Sequence, residues 1–373
     1  MIITKADTEI YYNAFRRCHS ERALTSRPEA SVLIGDYFFS LFAKSLLMTD
    51  RLDEAPRYAE RLEAEIESLL DADVMRADAG RILSAGGKGL RTKLARICYD
   101  IGRERSPDPR ADGAEELEPL LEVLDILHNT SLIHDDAVDG AELRRGVPTI
   151  NKTTGIFAAV QTGDWLLAEM VRRFYRCRTP ENEAKVDEMF TFVPLVMCEG
   201  ELIQQRIRFR LSAQTKQLYY QQIHRKTAAL FAASCRAGAV IAGGTNPAVV
   251  KLLERFGRLF GIAFQIRDDV LDFCPADVTG KRHAQDIRNG IFTLPILMAE
   301  ADMPAHIRAL LEKRDKSEGD IGDIVTWVTS SGSLDRARRE AERLFSEAAD
   351  ILRSLGQSRE IKKLNELCES IVS

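Results

Sequence analysis

Two short stretches place aspartates at helical spacing. Leu127 to Thr149 reads LHNTSLIHDDAVDGAELRRGVPT, with Asp135, Asp136 and Asp139 ahead of Arg144 and Arg145. Phe264 to Phe273 reads FQIRDDVLDF and repeats the spacing in Asp268, Asp269 and Asp272. Residues four apart share a helix face, so Asp135 and Asp139 point the same way. Neighbouring carboxylates repel unless a cation lies between them. An oxygen-only site suits a hard divalent ion such as Mg²⁺, which binds one or two carboxylates together with substrate phosphates. One such triplet could be a solvated helix face. Two of them, each inside an apolar helical run, imply carboxylates that clamp metal across a bundle core.

Positive charge flanks both triplets. Gly86-Gly87-Lys88-Gly89-Leu90-Arg91 puts Lys88 and Arg91 near the start of a helix, where backbone N–H groups attract anions. Arg144 and Arg145 sit in a turn before Gly146 and Pro148. Lys226 and Thr227 begin the apolar run KTAALFAASCRAGAV, where a core-facing lysine needs an anionic partner. Lys281 follows the second triplet in a loop. Carboxylates interleaved with lysines and arginines imply a polyanionic substrate, most simply a diphosphate. No GxxxxGK[ST] or GxGxxG is present, so a nucleotide is not indicated.

The elements that must position these groups are helical. The 373 residues are 45% hydrophobic and 29% charged, as in ordinary soluble globular proteins. Apolar positions recur at helical spacing, as in Leu117, Leu120, Leu121, Leu124 and Leu127, and no convincing strand alternation is found. Helices are expected over 55–80, 114–139, 157–177, 184–208, 213–241, 248–273, 291–314 and 335–370. None of the breaks between them reads as an interdomain linker. The expected fold is all-α, a single large helical bundle over 51–373 preceded by a helical extension over 1–50. The net charge of −5 gives no reason to expect nucleic acid. Seven cysteines without a CxxC pair suit a reduced, cytoplasmic protein. The first residues lack the pattern of a signal peptide.

In motif content and motif order the sequence resembles the trans-isoprenyl diphosphate synthases, the polyprenyl synthetase family, of the medium- to long-chain type. GGKGLR at 86–91, ILHNTSLIHDDAVDGAELRRGVPT, the Gly163-Asp164 pair, KTA at 226–228, FQIRDDVLD at 264–272 and TGK at 279–281 carry the resemblance. It implies an isoprenoid-synthase helical bundle around a central cavity. The implied reaction condenses isopentenyl diphosphate with an allylic diphosphate, giving a longer all-trans polyprenyl diphosphate. By position, Asp135, Asp139 and Asp268 would ligate Mg²⁺, with Asp136, Asp269 and Asp272 as further ligands or as groups behind them. The family binds about three such ions with diphosphate. Arg144, Lys226, Thr227, Gln265 and Lys281 would hold the allylic diphosphate, and Lys88, Arg91, His128 and Arg145 isopentenyl diphosphate. A homodimer is implied, and a peripheral membrane contact would serve product release.

In this family, side chains below the first aspartates limit product length. Thr130 and Ser131 are small and Leu127 lies a turn deeper, so a product longer than fifteen carbons is expected. Three departures stand out: Gly89 for a usual Arg, Thr92 for a usual Pro, and Ile291 for a common Lys. They leave room for a regulatory subunit of a heteromeric synthase or, further off, a class I terpene cyclase. Both aspartate triplets are complete, which favours the enzyme.

Overall fold

The structure is a computed structural model that describes residues 72–84, 89–106, 114–177, 179, 182–243, 246–274 and 283–372. The expected extension over 1–50, most of the helix expected over 55–80, Lys88 and Lys281 lie outside these residues. The long helices are α1 (Ala72–Ser84), α2 (Leu90–Glu104), α3 (Ala114–Asp139), α4 (Ile156–Phe174), α5 (Glu183–Ile207), α6 (Lys216–Ile223) and α7 (Ala229–Ile241). They continue with α8 (Pro247–Leu271), α9 (Leu294–Ala299), α10 (Ala305–Glu312), α11 (Glu318–Ser330), α12 (Ser333–Ser354) and α13 (Arg359–Val372). The all-α class is borne out.

Helices α2 and α7 form a central layer between two cores. Leu94 and Cys98 of α2 and Phe231 and Cys235 of α7 face one core, with Phe256 and Phe260 of α8 and Phe345 of α12. Ala95, Leu230 and Ala237 face the other, with Leu120, Leu124 and Leu127 of α3 and Leu166 of α4. A helix covered on both sides must be apolar all round, and ALFAASCRAGAVI is. Small residues let these helices touch. A Cβ on Gly238 would stand 2.0 Å from the carbonyl oxygen of Ala95, so α2 and α7 meet backbone to backbone there.

Four expectations change. The helix expected over 213–241 is a 3₁₀ turn, α6, a π-turn (His224–Ala228) and α7. The π-turn inserts one extra residue without interrupting the apolar stripe, a feature common at functional sites. The helix expected over 291–314 is split, because Pro295 starts α9 and Pro304 precedes α10. The helix expected over 335–370 breaks at Gly356, whose φ of 88° ends α12. Finally, Leu143–Arg144 and Val147–Pro148 pair as a minimal antiparallel hairpin. Its two turn residues, Arg145 and Gly146, both have positive φ, the requirement of a type I′ turn. Helix α11 was not foreseen; Ser317 and Asp320 start it with a reciprocal capping box.

Candidate active site

Helix α3 delivers the first aspartates on its last turns. Asp135 and Asp139 share a face, whereas the buried Asp136 turns away and receives both Nε and Nη2 of Arg144. The hairpin makes this possible by folding Arg144 back along α3. Burial pushes the Asp135 carboxyl up to about 6 against the pull of Lys226, and raises Asp139 as well. Carboxylates held above their ordinary range are short of positive charge and gain most from a cation.

Lys226 supplies some of that charge. It sits in the π-turn, with its Nζ 3.7 Å from Asp135 Oδ2 and donating to Glu201 of α5. Burial works to lower its ammonium, but Asp135, Glu201 and Asp139 outweigh burial and hold it above its usual value. Gly200 allows the approach, since a Cβ there would stand 2.5 Å from the Lys226 backbone nitrogen. Two turns further along α5, just past its last residue, Arg208 Nη1 reaches Asp139 Oδ1 at 3.5 Å.

Helix α8 carries the second triplet. Asp269 is buried and raised to about 7 by burial, which outweighs the hydrogen bonds it receives from Tyr219 and Gln265. Gln265 in turn accepts the Thr227 hydroxyl at 2.7 Å, so a chain of hydrogen bonds runs from the π-turn to the second triplet. Asp272 accepts the backbone N–H groups of Gln285 and Asp286, each at 3.0 Å, capping the one-turn helix Gln285–Arg288. Asp286 is buried and raised well above its ordinary value, by burial and then by Asp272, Asp269 and Asp268. Lys226 opposes that rise, and so bears on the acidic groups of both helices.

A third group lies further back on α3. Arg91 is half-buried with its guanidinium 4.4 Å from the Phe231 ring centre, and its buried Nε has no hydrogen-bond partner. Burial and then Arg145 lower it to about 10. Burial and then Arg91, Arg145 and Arg144 push His128 down to about 2, so its imidazole is neutral at physiological pH. Arg145 Nη1 lies 3.4 Å from Asn129 Oδ1. Cations that depress one another, one with an unpaired buried donor, form a site that an anion stabilises.

Among the described residues, no three acidic, histidine or cysteine side chains form a metal cage by themselves. Mg²⁺ takes one or two carboxylates and completes its shell with phosphate and water oxygens. Asp135 and Asp139, desolvated and on one face, fit that donor set.

The polyprenyl synthetase family profile matches residues 72–328. The chain belongs to that family. Heptaprenyl diphosphate synthase component 2 of Geobacillus stearothermophilus is 31% identical over 81% of this chain and 90% of its own length. A heptaprenyl diphosphate synthase of Staphylococcus aureus matches with a TM-score of 0.73 at 27% identity, over 85% of this chain and 97% of that one. A polyprenyl synthase of Caulobacter crescentus, solved with calcium and isoprenyl diphosphate, matches with a TM-score of 0.73 at 29% identity, over 86% and 97% of the two chains.

Within this family frame the structure gathers Asp135, Asp136, Asp139, Arg144 and Lys226 into one group. Thr227, Gln265, Asp268, Asp269 and Asp272 form a second, and Arg91, His128 and Arg145 a third. Ser131 Oγ donates to the His128 carbonyl at 2.8 Å, while Thr130 and Leu127 are buried. Sequence reasoning missed Glu201, Arg208, Tyr219 and Asp286. Only Asp286 left a trace, an acid shortly after the glycine break that follows the second triplet.

Proposed function

We propose that the chain is a Mg²⁺-dependent trans-prenyltransferase that extends an allylic diphosphate with isopentenyl diphosphate, to a product longer than fifteen carbons. The observation that carries the reading is Lys226 set between the aspartates of α3 and the acidic group around α8. Mg²⁺ held by Asp135, Asp139 and Asp268 would supply the charge that stabilises a departing diphosphate. Asp136, Asp269 and Asp272 act behind these ligands, through Arg144, Gln265 and the one-turn helix they contact. About three ions with bound diphosphate is the expectation carried by family resemblance.

Lys226, Arg144 and Thr227 orient the allylic diphosphate, with Gln265 fixed by Thr227 and with Lys281. As the C–O bond breaks, negative charge grows on the leaving oxygens, and these fixed donors meet it. Arg91, His128 and Arg145, with Lys88, hold isopentenyl diphosphate so that its double bond lies beside the allylic cation. A new C–C bond forms, and a proton is lost to the released diphosphate. The apolar cores flanking the site exclude water that would quench the cation.

Exposed large apolar side chains concentrate on α4 (Ile156, Phe157, Val160, Val171) and α5 (Phe192, Leu195, Leu202). They support a homodimer, to be checked by mass measurement in solution; a monomer at micromolar concentration would refute it. Among the described residues no helix is long and apolar enough to cross a membrane, and the proposed setting is the cytoplasm, with product released at a membrane surface. The function itself is tested with labelled isopentenyl diphosphate and C5, C10, C15 or C20 allylic diphosphates, the products being sized by chromatography. A metal-dependent ladder above C15 is expected. A folded protein that extends none of the starters would refute the reading.

A further inference from the structure

We propose that Arg208 is a diphosphate-binding residue of this site, the cation that takes up the oxygens of the allylic diphosphate beside Asp139. The inference rests on the prenyltransferase reading and adds a residue to it. Arg208 follows the last residue of α5, and its backbone leaves the helix with φ −52° and ψ 138°. The next residue, Phe209, has φ 59°, rare for an aromatic residue. Its N–H donates to the Gly290 carbonyl at 2.9 Å. Gly290 is itself at φ 70°, and a Cβ there would lie 2.5 Å from the Phe209 ring. The end of α5 is thereby locked onto the loop that follows the one-turn helix Gln285–Arg288.

That lock aims the guanidinium. Nε donates to the Asn289 carbonyl at 2.6 Å and Nη1 to Gln205 Oε1 at 3.0 Å, with Asp139 Oδ1 at 3.5 Å. A guanidinium has five donors in a rigid fork. Among the described residues these bonds use Nε and Nη1, so Nη2 remains for an anion. The side chain is about one-fifth exposed, as is that of Asp139 at about one-quarter. It is anchored without being fully enclosed. A pair at 3.5 Å, with Nη2 unbonded, can admit a diphosphate oxygen beside its partners. Ile291, held by its N–H on the Asp286 carbonyl at 2.9 Å, brings no charge to this loop. Arg208 enters the same loop from α5 and brings one.

The test compares the full-length protein with R208Q, R208K and R208Q/I291K. Inorganic diphosphate binding in Mg²⁺ is measured by calorimetry, and kcat and KM are measured for each substrate. R208Q is expected to weaken diphosphate binding and to lower kcat/KM for the allylic substrate roughly 10- to 100-fold, the usual effect of losing a charged hydrogen bond. KM for isopentenyl diphosphate stays the same. R208K loses less, and I291K added to R208Q restores most of the loss. Unchanged diphosphate affinity in R208Q would overturn the proposal, whether or not the melting temperature falls. Equal losses toward both substrates would overturn it too. If the wild-type protein extends no starter, the enzymatic reading fails, and the calorimetric comparison still decides whether Arg208 binds diphosphate.

Discussion

Lys226 Nζ stands 3.7 Å from Asp135 Oδ2 while it donates to Glu201, so one ammonium joins the last turns of α3 to α5. The π-turn that presents it is fixed by the close approach of Gly200. An ammonium already held among carboxylates, partly shielded from solvent, is preorganised to receive a diphosphate. Replacing Lys226 by Gln is expected to lower kcat with an allylic substrate about 100-fold, as removal of one preorganised donor typically does. Steady-state kinetics check this; a kcat within threefold of wild type would show that Lys226 only balances charge.

His128 gives a signature in pH. The unfolded imidazole takes a proton near 6.5, the folded one only near 2. Between these values the unfolded chain binds more protons, so stability falls as pH falls. One such group contributes about 1.4 kcal/mol per pH unit, hence about 2 kcal/mol between pH 6.5 and 5. Asp135 and Asp269, raised in the folded state, act with the opposite sign, their contribution falling as pH rises toward about 6 and 7. Comparison of wild type with His128→Gln isolates the histidine. Denaturant melts should show a smaller acid-side loss in the variant, and identical pH profiles would contradict the assignment.

The expected first-triplet helix, 114–139, matches α3 in both bounds, because its apolar period and the glycine after Asp139 mark it locally. The two triplets and their shared-face geometry were legible for the same reason. Glu201 and Arg208 were not, because their roles depend on where α5 crosses the π-turn and the loop at Gly290. Nothing local to CEGELIQQRIRF states those crossings. The π-turn also escaped, since one added residue leaves His224 to Ala228 looking like ordinary helix. Gly356 was a readable stop that the long amphipathic pattern around it concealed.

Gly163 has a steric role. A Cβ there would stand 2.2 Å from His134 Nε2, and that nitrogen lies 3.5 Å from Asp164. His134 immediately precedes Asp135, so α4 sets the last turns of α3 through this contact. Gly163→Ala should cost about 1–3 kcal/mol, the range for overpacking, and His134→Ala in the same chain should return part of it. Thermal melts of the two single variants and the double variant check this; strictly additive losses would show that the two residues do not collide.

Ser131 lies one turn before Asp135 and is half-buried. Phe in its place would project an aromatic ring into the path proposed for the growing chain. Products of Ser131→Phe should be shorter by at least one five-carbon unit. An unchanged product distribution would place the length limit elsewhere.

The most direct test of the central claim is transfer of labelled isopentenyl diphosphate to an allylic diphosphate, measured with Mg²⁺ and with EDTA, for wild type and for Asp135→Ala. Metal-dependent transfer by the wild type, reduced roughly 100- to 1,000-fold in the variant, is the predicted result, on the order of the loss when an electrostatic group of a reaction centre is removed. Transfer that survives both EDTA and the substitution would contradict the account.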